Sequence, residues 1–199
     1  DNILGMLLKA GVDVSVKNSS SRCPLVSACF LNKPVAVKLL VEHGCNLESF
    51  SPEGYNILHY AIISGSLDVV KYLFSIHTNI QMSDGTHTFV LHRATLERRT
   101  DTVKYLLKKG ASPYEKIDQE TMRLATSAYP DLITVFNEWD PAIVFAIASN
   151  NIELVEAFLD AGINPNTRIC DSKSTLLHFA ILKDKMEIAE LLVRRGADV

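Results

Sequence analysis

One motif recurs along this 199-residue chain at a fixed interval, and that interval constrains the fold more than any other property of the sequence. Ile57-Leu58-His59-Tyr60-Ala61 has relatives at Leu25-Val26-Ser27-Ala28, Leu91-His92-Arg93-Ala94 and Leu177-His178-Phe179-Ala180, and Ala28, Ala61 and Ala94 stand 33 residues apart. Self-similarity at this period describes a stack of small helical units, each burying its apolar face on its neighbours, rather than one core assembled from distant segments. Every unit has the same grammar. A short helix carries Leu-His-x-Ala, a turn such as Gly65-Ser66 follows, and a second helix opens on an acid, continues in aliphatics and closes at a glycine. The acids of Asp68–Phe74, Asp101–Leu107 and Glu187–Leu192 complement the positive end of their helix dipoles. Gly11, Gly44, Gly110, Gly162 and Gly196 are the predicted left-handed caps, with His77 in the equivalent place between the second and third.

Two C-terminal segments carry a family resemblance. Thr175-Leu176-Leu177-His178-Phe179-Ala180 resembles the Thr-Pro-Leu-His-x-Ala signature of ankyrin repeats, and Gly196-Ala197-Asp198-Val199 resembles the family's Gly-Ala-Asp-Val ending. Elsewhere the motif is eroded: Val26 and Val144 stand in the histidine position, and Phe89-Val90 replaces Thr-Pro. The resemblance covers essentially the whole chain. It implies an all-α ankyrin repeat solenoid of stacked antiparallel helix pairs with β-hairpin-like fingers, whose inner helices and fingers form a concave surface. It also implies that His59, His92 and His178 hydrogen-bond between neighbouring units. The domain then fills residues 1–199, as a partial unit at 1–17, units at 18–50, 51–83 and 84–116, a degenerate unit at 117–139, and units at 140–167 and 168–199. Neither end reads as a polar capping helix, so the segment is expected to belong to a longer array.

The spacing breaks once. Gly110 and Gly162 are 52 residues apart, which reads as two units short of 14 residues. Asp131–Phe136 still has the pattern of a second helix, while Trp139-Asp140-Pro141 takes the place of a finger and starts the next helix directly through an Asp cap and a following proline. Two accounts stay open: a decayed unit that still stacks without its finger, or a shaped notch in the concave wall lined by Trp139.

Composition excludes several classes of function. A net charge of −3 gives no electrostatic case for nucleic acid or an anionic membrane surface. The longest apolar run, Ala142–Ala148, is far short of the roughly 20 residues that span a bilayer. Cys23, Cys29, Cys45 and Cys170 form no CxxC pair and no ligand spacing with histidine. They read as reduced packing thiols of a cytoplasmic or nuclear protein, with no metal and no cofactor. No glycine-rich phosphate loop and no nucleophile or acid–base constellation appears, so the chain reads as non-enzymatic.

The informative pattern lies in the first helices. Residues three before and one after the motif alanine share its face: Leu25/Cys29, Leu58/Ile62, Leu91/Thr95, Ile143/Ile147 and Leu177/Ile181 are the expected stacking core. Residues one before, two after and three after face the other way, and there stand Phe30, Leu31, Tyr60, Ile63, Leu96, Phe145, Phe179 and Leu182. An open apolar row of this kind marks an interaction site, unless finger side chains or a flanking segment cover it. The expected partner is another protein or a peptide segment laid along the concave groove. Pro52, Glu53, Tyr55, Thr86 and Asp171 of the fingers would tune specificity. The alternative is architectural: part of a long array in a larger multidomain or membrane-channel protein, with the groove packed against the same chain.

Overall fold

Two short helices per period is what the chain forms. The computed structural model describes residues 2–19, 22–47, 56–76, 86–112, 142–169 and 174–199. Among these the helices are α1 (Asn2–Lys9), α2 (Pro24–Phe30), α3 (Pro34–Glu42), α4 (Ile57–Ile63), α5 (Leu67–Ile76), α6 (Thr86–Leu96), α7 (Thr100–Lys108), α8 (Ile143–Ala148), α9 (Ile152–Asp160), α10 (Leu176–Leu182) and α11 (Met186–Arg194). The chain divides into two compact units, residues 1–81 and 82–199.

Local chemistry sets the helix starts. Pro24 and Pro34 open α2 and α3, where a missing N–H leaves nothing unpaired. Asn56 caps α4, its Oδ1 accepting from the backbone N–H of Leu58 at 3.0 Å and of His59 at 3.2 Å. The motif histidine completes a capping box: Asn56 N stands 3.3 Å from His59 Nδ1, and Thr175 N stands 3.4 Å from His178 Nδ1. These bonds lie within one helix, so the histidine first of all fixes the start of its own helix.

Left-handed residues set the helix ends, in two series. All five predicted glycines adopt the conformation, with φ between 79° and 95°. At Gly162 a Cβ would meet nothing within 4 Å, so backbone conformation alone asks for glycine there. The second series, between the two helices of each pair, has a single glycine: Asn32, Gly65, Arg98, Asn150 and Asp184 have φ of 51°, 77°, 56°, 54° and 55°. Each lets the next residue's N–H return to the helix, as Lys33 N does to Ala28 O at 2.9 Å and Lys185 N to Ala180 O at 2.8 Å.

Packing repeats with the motif. In residues 1–81, α2 packs on α3 and α4, α4 on α5, and α3 on both α1 and α5. In residues 82–199 the pairs α6/α7, α8/α9 and α10/α11 stack first helix on first helix and second on second. Lys104 of α7 bonds Glu153 of α9 at 2.6 Å, and Arg195 bonds Asp160 at 2.6 Å. Asn166 staples one turn to the next, its Nδ2 donating to Gly196 O at 3.2 Å and its Oδ1 accepting from Asp198 N at 2.8 Å. The base of one finger is described, as an antiparallel bridge between Arg168 and Thr175.

Among the described residues, α6 packs on α8 and α7 on α9 across the irregular spacing. The 52-residue interval from Gly110 to Gly162 is 19 residues longer than one 33-residue period. The expected degenerate unit at 117–139, with Trp139, lies outside the described residues, as does His77.

The stacking core follows expectation with one exception. Leu25, Cys29, Leu58, Ile62, Leu91, Thr95, Ile143, Ile147 and Leu177 are all buried. Ile181 is not; it is 56% exposed.

Candidate functional site

The apolar row expected opposite the stacking core separates into two positions with different surroundings. The residue one before the motif alanine is buried in four of the five first helices, as Tyr60, Arg93, Phe145 and Phe179, while Ser27 is half-buried. The expectation that Tyr60, Phe145 and Phe179 stand open is therefore corrected. Helix neighbours explain it, since Phe145 of α8 packs edge-on against His92 of α6, ring centroids 5.7 Å apart. An aromatic in mid-helix lies between two stacked first helices and cannot escape them. Arg93 pairs there with Glu97, at 2.7 Å.

The residues two and three after the alanine sit at the helix end, and those are the open ones. Phe30 is 39% exposed, Leu31 61% and Leu182 72%, while Ile63 and Leu96 are half-buried. Thr86 begins α6, and its side chain lies outside the described residues. Pro52, Glu53, Tyr55 and Asp171 lie outside them altogether.

In residues 1–81 the open positions join a built cluster. The Phe30 ring meets the buried Tyr60 ring edge-on, centroids 6.4 Å apart and planes at 78°. The Arg22 guanidinium lies over both, 4.7 Å from the Phe30 centroid and 5.6 Å from that of Tyr60. A cation over two ring faces is attracted by their quadrupoles and loses conformational freedom before any partner arrives. Arg22 itself is positioned by the chain: its N–H donates to Asn18 Oδ1 at 3.0 Å and its carbonyl accepts from Asn18 N at 3.0 Å. Sequence reasoning did not single out Arg22, because it lies outside both helices and outside the repeating motif.

A second apolar feature is an open groove of about 490 Å³ on the outer side of α10 and α11, lined by Leu177, Ile181, Met186, Val193 and Val199. Its polar lining is Glu190 and Arg194.

Neither feature carries reactive chemistry. Among the described residues no group of His, Cys, Asp and Glu is placed to hold a metal ion, and no helix is long and apolar enough to cross a membrane. Burial pushes the Cys29 thiol up to about 12 and the Cys45 thiol up to about 11, each helped by the nearby Cys23. Both are therefore protonated packing groups near neutral pH, and Cys23, Cys29 and Cys45 are all free thiols.

Comparison with known proteins meets the fold at several points. A family model of ankyrin repeats in three copies matches residues 1–84, and one of ankyrin repeats in many copies matches residues 143–193. An ankyrin repeat protein of Acanthamoeba polyphaga mimivirus is 22% identical over 194 residues, covering 94% of this chain and 23% of that protein. The Notch-regulated ankyrin repeat-containing protein of Homo sapiens is 36% identical over 65 residues, covering 33% of this chain and 57% of that protein. The crystal structure of the ankyrin repeat domain of Bcl-3, a member of the IkappaB protein family, superposes with a TM-score of 0.73 at 22% identity, covering 99% of this chain and 80% of that one. That likeness shows the fold. The chain spans under a quarter of the length of viral relatives it matches, 23% in the mimivirus protein and 12% in one from Fowlpox virus.

Proposed function

Because the chain belongs to the ankyrin repeat family, whose members are generally protein–protein interaction modules and typically non-enzymatic, we propose that it binds a segment of another protein along its first-helix face. The observation that carries this is the pair Phe30 and Leu31, open at the end of α2 and braced by the buried Tyr60 ring. Exposed apolar side chains on a rigid base are what binding hot spots require, since little conformational freedom is lost on docking. The finger residues named from the sequence would tune the choice of segment. The free thiols favour an intracellular setting. Panning a phage-displayed random peptide library against the chain tests the proposal. Wild-type protein should enrich peptides with an aromatic or aliphatic anchor, and the Phe30→Ser, Leu31→Ser double variant should not, with circular dichroism unchanged. Equal enrichment by both proteins overturns it.

The groove on α10 and α11 favours a second, architectural reading in which further structure of the same protein covers that face. Adding a helix pair with an apolar inner face and polar outer face after Val199 would then raise Tm and reduce self-association. An unchanged Tm would dismiss that reading.

A further inference from the structure

Resting on the docking proposal, we infer that the segment bound at Phe30 and Leu31 is acidic, carrying an Asp or Glu within a few residues of its apolar anchor, and that Arg22 is the residue that selects it. Three features combine. The Arg22 guanidinium is held over the Phe30 and Tyr60 rings at 4.7 Å and 5.6 Å, so it stands at the edge of the open apolar surface rather than ranging through solvent. No carboxylate pairs with it among the described residues, whose ion pairs are Arg93 with Glu97, Lys104 with Glu153 and Arg195 with Asp160. Its side chain is only half exposed, and the aromatic faces beneath it exclude water from one side. A guanidinium held beside an apolar anchor still presents its fork of N–H donors, two of which a partner carboxylate can accept side by side. The same arrangement opposes a basic segment, which would bring like charge to a partly desolvated site and leave it unpaired.

The test uses the peptide library with wild type, Arg22→Gln and Arg22→Glu. Arg22 precedes α2 and lies outside every helix, so circular dichroism and Tm should be close to wild type in both variants. Wild type should enrich peptides with an apolar anchor next to Asp or Glu, and Arg22→Glu should shift the charged position toward Lys or Arg. A selected acidic peptide should lose affinity by about ten-fold or more in Arg22→Gln, the loss expected for one charge-assisted hydrogen bond, and should bind more weakly as salt rises. Enrichment of apolar peptides with no charge preference, unchanged by Arg22→Glu, would overturn the acidic assignment and leave the docking site standing. No enrichment by any form would remove the docking site and this inference with it.

Discussion

Helices α8 and α10 are nearly the same helix built twice. Each has a branched aliphatic three before and one after the motif alanine and a phenylalanine one before it, yet Ile147 is fully buried while its counterpart Ile181 is 56% exposed. The difference is in their neighbours. α8 packs against α6 on one side and α10 on the other, whereas among the described helices α10 has only α8 as a first-helix neighbour. In a repeat stack a side chain's environment is decided by the units beside it as much as by its own sequence. The phenylalanines show the converse, because Phe145 and Phe179 are both buried and one neighbour suffices for that position.

The largest effect that bears on this comparison is truncation of the buried members. Phe145→Ala should cost about 3–5 kcal/mol and Ile147→Ala about 2–5 kcal/mol in urea unfolding, because each opens a cavity between stacked pairs. Ile181→Ala should cost no more than about 0.5 kcal/mol, as expected for an exposed position. Equal losses at 147 and 181 would mean that the outer face of α10 is covered in solution.

The direct stacking of α6/α7 on α8/α9 gives a second, opposite expectation. Removing 19 residues from within 113–141 restores the 33-residue interval, and stability should change by less than about 1 kcal/mol, the scale of loop-closure entropy. A large loss with a reduced urea m-value would show that a packed layer had been taken out.

Smaller still are the left-handed turns. Gly162→Ala should destabilise by about 1 kcal/mol, since φ is 94° and no space is limiting. Arg98→Gly should be neutral or stabilise by up to about 1 kcal/mol, because arginine there has φ of 56° and bears the left-handed strain that glycine avoids. Thermal unfolding of the two variants should therefore move Tm in different directions or leave Arg98→Gly unmoved.

Labelling reports the stack without changing the core. With Cys23 and Cys170 replaced by serine, Cys29 and Cys45 should react with a thiol reagent at pH 8 at least about ten-fold more slowly than in urea-unfolded protein. Their raised values have a defined sign. The folded state favours the neutral thiol, so the stabilisation is complete below the ordinary value of 9.0 and is lost as pH rises toward about 11 and 12. An alkaline unfolding transition should begin in that window, and the Cys29→Ala variant should shift it.

The helices, their stacking faces and the closing glycines were legible in the sequence because each depends on local chemistry repeated at a fixed period. Leu58, Ala61 and Ile62 share a face by helical geometry alone, and Gly162 needs only its own φ. The second left-handed series was harder to read: Asn32, Asn150 and Asp184 are of the types that tolerate that conformation, but Arg98 is not and is placed by the turn it completes. The split of the open face was equally hidden. Tyr60 and Ile63 read alike on a helical wheel, but depth along the helix leaves Tyr60 buried and Ile63 half-buried.

The repeat, the helix pair and the residues that stack follow from residue order alone, because periodicity and propensity act over one unit. Which pairs are neighbours across the long interval, which aromatics are buried and that Arg22 lies over Phe30 and Tyr60 emerge only once the units have packed. Those features depend on contacts between units, where two segments distant in sequence must meet before either has a defined environment.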